Sequence, residues 1–176
     1  ETVPMNPGAN DNASAQAVLL ELARFFKENP QKRSILLMSN CGEETGLWGA
    51  ASFVEAHRDW LVESLKAMIA VDQAGGTEPV VYSGGTRWLE EMWVEEAEKL
   101  GYRLPHWLPE RVAGWEDTLG DALPFFKAGI PAAIAGSWPS DFFYHTEEDT
   151  PDKVSANGLK AVADSMASLV VRLCSR

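Results

Sequence analysis

Five side chains in this sequence are of types that hold a metal ion and activate water: Asp11, Glu43, Glu44, Asp72 and His145. A set of Asp, Glu and His donors is what a borderline cation such as zinc selects. Carboxylate oxygen and imidazole nitrogen both bind it at about 2.0–2.2 Å. A catalytic zinc takes three protein ligands and keeps one position for water. Asp11, Glu44 and His145 can supply the three. Glu43, next in sequence to a ligand, then reaches the water rather than the ion. A carboxylate there can take a proton from a water whose pKa the metal brings to about 7. Asp72 is a candidate ligand of a second ion, for which a bidentate carboxylate such as Asp11 would form the bridge. Each residue also has an ordinary role open to it. Asp11 can cap a helix, Glu43 and Glu44 can be solvated surface, Asp72 can open a turn, and His145 can be a loop histidine.

The elements around these residues are what join them. Apolar positions in 13–28, with Val18, Leu22 and Phe25 on one side, predict a helix that Asp11 or Asn12 would cap. "SILLMS" (34–39) reads as a buried strand of a mainly parallel sheet, followed by a helix over 46–57. Further strands are expected at 67–72, 79–83 and 132–136, with helices at 86–101 and 155–174 and a short one within 119–131. Alternating strands and helices predict an α/β, three-layer sandwich with a mainly parallel or mixed central sheet, in one domain over residues 1–176. In such sheets ligands sit beyond the carboxyl ends of the strands. "SILLMS" runs into Glu43 and Glu44, 67–72 ends on Asp72, and 132–136 leads to the loop holding His145. The acidic residues and the histidine therefore converge on one rim.

Composition narrows the partners. The net charge of −11 argues against nucleic acid and anionic membrane, and fits sites that hold cations or amines. No apolar run approaches the roughly 20 residues that cross a bilayer. Two cysteines, Cys41 and Cys174, form no disulfide framework and have no metal-site spacing. Cys41, after a buried-strand pattern, is expected to be an inert core thiol.

The segments "PGANDNASAQAVLLELAR", "RSILLMSNCGEETGLWGAASFV", "AVDQAG", "GDALPFFKAGIPA" and "YHTEEDTPD" occur here in the order seen in the co-catalytic zinc aminopeptidases. The resemblance runs from Pro7 to about Asp152. That superfamily also includes glutamate carboxypeptidase II, glutaminyl cyclases and non-catalytic receptor domains. The resemblance implies a zinc-exopeptidase-like fold and one or two zinc ions. It implies Asp11 as the bridging carboxylate, Glu43 as general base, Glu44 and His145 as ligands of one zinc, and Asp72 as a ligand of the other. Asp121 matches the aspartate of the family's usual Ser-Asp-His stretch, here Gly120-Asp121-Ala122 without the histidine. Asp149 is implied as a carboxylate that orients His145. The family also carries a strand ending in His-x-Asp ahead of the "GANDNAS" segment. Only six residues precede Pro7 here and none is histidine, so the chain reads as N-terminally shortened, with one complete set of zinc ligands. An unpaired edge is then expected at 34–39, to be covered by an N-terminal segment or by a homo-oligomer. His57 and His106 match no ligand motif.

Donor chemistry and resemblance together lead to the expectation of a zinc-dependent exopeptidase, an aminopeptidase acting on peptides or amino-acid derivatives. Trp107, Trp115, Trp138, Phe142 and Phe143 are candidate walls of its substrate pocket. The resemblance points to an exported setting. A single-zinc glutaminyl cyclase or carboxypeptidase is the alternative enzyme. A non-catalytic interaction domain on the same fold is the alternative of a different class, since fold alone does not establish function.

Overall fold

The computed structural model of the chain describes residues 6–107, 115–137 and 143–175, with backbone alone at 107 and 115–118. Helix α1 (Ser14–Glu28) buries Val18 and Leu22, the apolar stripe that its period presents. Helix α2 (Trp48–Ser64) starts just past the Glu43–Glu44 loop and runs beyond the expected end, burying Ala50, Val54 and Leu61. Strands β1 (Met68–Val71) and β2 (Pro79–Tyr82) follow. Helix α3 (Arg87–Lys99) ends where Gly101 takes φ +80°. A two-residue strand β3 (His106–Trp107), which no sequence pattern announced, closes one edge of the sheet. After a 3-10 stretch (Trp115–Ala122) come α4 (Leu123–Lys127), β4 (Ala132–Ser137), a 3-10 turn (Pro151–Lys153) and α5 (Ala156–Cys174). The Ser155 side chain caps α5 by accepting the Gly158 N–H at 3.2 Å.

The sheet is mixed, in the order β1-β4-β2-β3. β1 runs parallel to β4 from Met68 opposite Ala132 to Val71 opposite Ala135, β2 runs antiparallel to β4, and β3 pairs parallel with β2. Side chains of β4 alternate between two apolar layers. Ala133 and Ala135 pack with residues of α1, α3 and α5, among them Leu22, Trp93 and Leu169. Ala132 and Ile134 face Leu119 and Leu123 on the other side, where Phe125 and Ile130 join the buried face of α2. Helices thus cover both faces of the sheet. The parallel β1 and β4 both end on the same side, which places Asp72 and Ser137 on one rim.

The segment 34–39 corrects an expectation. It forms no strand, and Leu36 is 56% exposed. An apolar run becomes a buried strand only where another strand takes its backbone bonds, and no ladder reaches this run among the described residues. Cys41, just beyond it, is exposed rather than buried in a core, while Cys174 is buried.

Candidate metal centre

Four loops build the site. The first is "PGANDNAS". Gly8 has φ +66°, and a Cβ there would lie 2.8 Å from the Asp11 carbonyl oxygen, so only glycine fits. The two asparagines beside Asp11 anchor it. Asn10 Oδ1 accepts the Gly75 N–H at 2.8 Å and Asn12 Oδ1 accepts the Gln73 N–H at 3.2 Å. Ser14 Oγ donates to the Asn10 carbonyl at 2.6 Å. From the opposite side Asp149, 1% exposed, accepts the N–H of Asn10 on Oδ1 at 2.7 Å and that of Asp11 on Oδ2 at 2.9 Å. Asp11 is thereby held from two directions. Neither Asp11 nor Asn12 caps α1, which begins without a side-chain cap bond. Asn12 instead spends its oxygen on the turn after β1.

The second loop carries Glu43 and Glu44. The Glu43 carbonyl accepts from Gly46 and Leu47 N–H, both at 3.0 Å, and Leu47 takes the left-handed conformation at φ +59° as α2 begins. The third is the end of β1. Asp72 N–H bonds the Ala135 carbonyl at 3.0 Å, and Gln73 turns the chain with φ +51°. Gly136 on β4 lets the strands approach here, since a Cβ would sit 2.3 Å from the Asp72 carbonyl oxygen. The fourth brings His145, itself at φ +58° with Tyr144 stacked on its ring at 3.6 Å. Three non-glycine residues in left-handed conformations, each in a loop of the site, mark backbone that the surrounding structure holds against its preference.

Asp11, Glu44 and His145 converge so that one ligand atom from each lies within 4.8 Å of the others. His145 Nε2 is 2.7 Å from Glu44 Oε1 and 3.2 Å from Asp11 Oδ2. One ring nitrogen carries at most one proton, so it satisfies one of the two oxygens. Asp11 Oδ2, Asp72 Oδ1 and Asp121 Oδ1 are all buried without a hydrogen-bond partner. Buried acceptors without donors cost free energy, and several facing one rim are satisfied together by a cation. The donor set, two carboxylates and an imidazole with further carboxylates around them, fits zinc.

Electrostatics point the same way. Burial pushes Asp11 up to about 6, and Glu44 adds to this while His145 opposes it. Burial, then Asp11, Glu43 and Glu44, push Asp72 up to about 7. Glu43 is raised by burial first, then by Glu44, Asp121 and Asp11. Asp121 is raised by burial against a hydrogen bond from Asn40. These carboxyls repel one another's charge, and a cation among them removes the repulsion.

Asp121 sits at the end of the 3-10 stretch beside Glu43. A Cβ on its neighbour Gly120 would lie 3.4 Å from Glu43 Oε1. Asp149 bonds the Asp11 loop rather than His145. Trp138 and Phe142, and the side chains of Trp107 and Trp115, lie outside the described residues. His57 packs its ring on Phe53 at 4.7 Å, and His106 Nε2 faces Glu90 at 3.5 Å, so neither joins the cluster. The anchoring roles of Asn10 and Asn12 went unread in the sequence. Their signal was the pair of amides flanking the aspartate.

Residues 1–170 match the model of peptidase family M28. The chain belongs to this family of metallopeptidases. Aminopeptidase YwaD of Bacillus subtilis is 28% identical over 97% of this chain and 38% of its own length. The structure of BSAP, a zinc aminopeptidase from Bacillus subtilis, superposes with a TM-score of 0.84 at 27% identity, covering 98% of this chain and 44% of that one. A glutaminyl cyclase from an Acidobacteriales bacterium shares the fold, with a TM-score of 0.73 at 24% identity over 96% of this chain and 63% of that one. This M28 chain therefore spans about two fifths of the aminopeptidases it resembles.

Proposed function

We propose that the chain carries the catalytic metal centre of a zinc-dependent aminopeptidase. The meeting of Asp11, Glu44 and His145, with Glu43 beside them and buried carboxylate oxygens left without donors, carries this reading. Asp11, Glu44 and His145 would hold a zinc ion, which would supply Lewis acidity and a more acidic water. Asp72 would serve as a ligand of a second ion.

Glu43 is the general base. Its carboxyl is half-buried, and burial first, then Glu44, Asp121 and Asp11, raise it above the usual carboxylate range. It takes a proton from the attacking water and returns it to the amine. Asp121, next to Glu43, adds to the raising of the base. Asp149, Asn10 and Asn12 keep Asp11 in place while charge shifts around it.

Replacing Glu43 by Gln in the full-length protein tests this. Zinc content is expected to hold while hydrolysis of amino-acid p-nitroanilides falls about 100- to 10,000-fold, the usual cost of losing a general base. Activity preserved within about tenfold would reject Glu43 as the base. One observation favours a second reading, a single-zinc glutaminyl cyclase: among the described residues there is one three-ligand group. Assaying pyroglutamate formation beside anilide hydrolysis separates the two. A protein that never retains zinc would instead support a non-catalytic domain.

A further inference from the structure

Glu43 and Glu44 sit in a loop where Cys41, Gly42, Glu44, Thr45 and Gly46 are exposed. A loop so open to water holds two carboxylates in a fixed geometry only where something locks its backbone. We propose that Trp48 is a positioning residue, whose indole clasps this loop and so holds Glu43 and Glu44 toward the candidate metal centre. The proposal rests on the aminopeptidase reading and adds a residue to its machinery.

Trp48 has a firm base and a free side chain. It is the first residue of α2, whose buried Ala50, Val54 and Leu61 tie the helix to the core. Its side chain folds back over the loop. Indole Nε1–H donates to the Thr45 carbonyl at 2.8 Å, one residue beyond Glu44. The same side chain lies against the two glycines that bracket the acids. A Cβ on Gly42 would sit 3.3 Å from Trp48 Cβ and 3.6 Å from Cδ1, and a Cβ on Gly46 would sit 3.6 Å from Nε1. Trp48 thus spans the loop from Gly42 to Gly46, with Glu43 and Glu44 between.

The backbone shows why a clasp is needed. Gly42, Gly46 and Leu47 take φ +69°, +121° and +59°, so the loop reverses tightly. Its ends are fastened to α2, where the N–H groups of Trp48 and Gly49 bond the carbonyls of Gly42 and Cys41 at 3.1 and 2.9 Å. The tip is held less firmly, since Thr45 Oγ1 reaches the Gly42 carbonyl at 3.3 Å. The indole N–H fastens that tip by its main chain. Trp48 is 64% exposed, so it contributes little through burial, and its hold on the loop is separable from a role in the core.

The test uses the full-length protein and two variants. Trp48→Phe removes the N–H and keeps a ring, whereas Trp48→Ala removes the whole clasp. Zinc affinity is measured by competition against a chelator, and kcat and KM on Leu-p-nitroanilide. Trp48→Phe should lower zinc affinity or kcat at least about threefold, the weight of one hydrogen bond, and Trp48→Ala more, with KM held within about twofold. Metal-free Trp48→Phe should melt within about 2 °C of the wild type, as a change at an exposed position does. Losses below about threefold in both quantities for both variants overturn the proposal. A loss accompanied by a larger fall in the metal-free Tm of Trp48→Phe marks a merely structural role and overturns it too. A rise in KM alone marks a substrate contact and does the same. A wild-type protein that binds zinc but cleaves no anilide rejects the aminopeptidase reading, and the zinc affinities then decide on Trp48 by themselves.

Discussion

Asp149 offers the sharpest perturbation, because it meets the candidate metal centre only through the backbone of the Asp11 loop. Its two oxygens each accept a backbone N–H, at 2.7 and 2.9 Å, in a site that is 1% exposed. Asp149→Asn keeps the shape but leaves one acceptor, and turns an amide NH2 toward the second N–H. One charged hydrogen bond is lost, worth about 1.5–3 kcal/mol, and a buried N–H is left without a partner at about 1–3 kcal/mol. The sum is about 2.5–6 kcal/mol, and each kcal/mol lowers Tm by about 2–4 °C in a chain of this size. The loosened loop no longer fixes Asp11, so zinc affinity should fall about 10- to 100-fold, the usual effect of removing a partner that orients a ligand. Thermal unfolding with and without zinc, and competition against a chelator of known affinity, measure both quantities. If Asp149→Asn bound zinc within about threefold of the wild type, the reasoning that places Asp11 through Asp149 would be wrong.

Acidity and accessibility supply two more predictions. Asp11 and Asp72 have folded pKa values of about 6 and about 7, above the roughly 3.9 of an unfolded aspartate. Their contribution to stability is therefore full below about pH 4 and lost as pH rises through about 6 and about 7. Metal-free protein should melt at lower temperature at pH 8 than at pH 5, zinc should give its largest gain at the higher pH, and Asp72→Asn should flatten the metal-free slope; a metal-free Tm that rises over this range refutes the assignment. Cys41 is exposed and Cys174 buried, so a thiol reagent should modify one cysteine in the native protein and the second only on unfolding; two fast-reacting thiols, or none, would contradict this arrangement.

Much of the architecture was legible because it is written in local patterns. The stripes of α1, α3 and α5 repeat with the period of a helix, and the short apolar runs at β1, β2 and β4 are bounded by turns. Where a pattern needed a distant partner it failed. "SILLMS" has the composition of a buried strand, yet strand formation depends on a neighbouring backbone that its own residues do not encode. The expectation for Cys41 fell with it. β3 has two residues and owes its existence to pairing with Val81 and Tyr82, which no window around His106 contains.

The candidate metal centre divides along the same line. Residue chemistry alone singled out Asp11, Glu43, Glu44, Asp72 and His145, because carboxylate and imidazole are properties of the side chain and the strand-end rule supplies a shared rim. Tertiary structure decided which of them meet. Glu44 and His145 are 101 positions apart in sequence and 2.7 Å apart in space. It also decided that Asp149, 138 positions from Asp11, supports the aspartate rather than the histidine. Asn10 and Asn12 became anchors only once the turn after β1 lay against them. Donor type is local, whereas the distances that make donors into a site come from chain segments that only folding brings together.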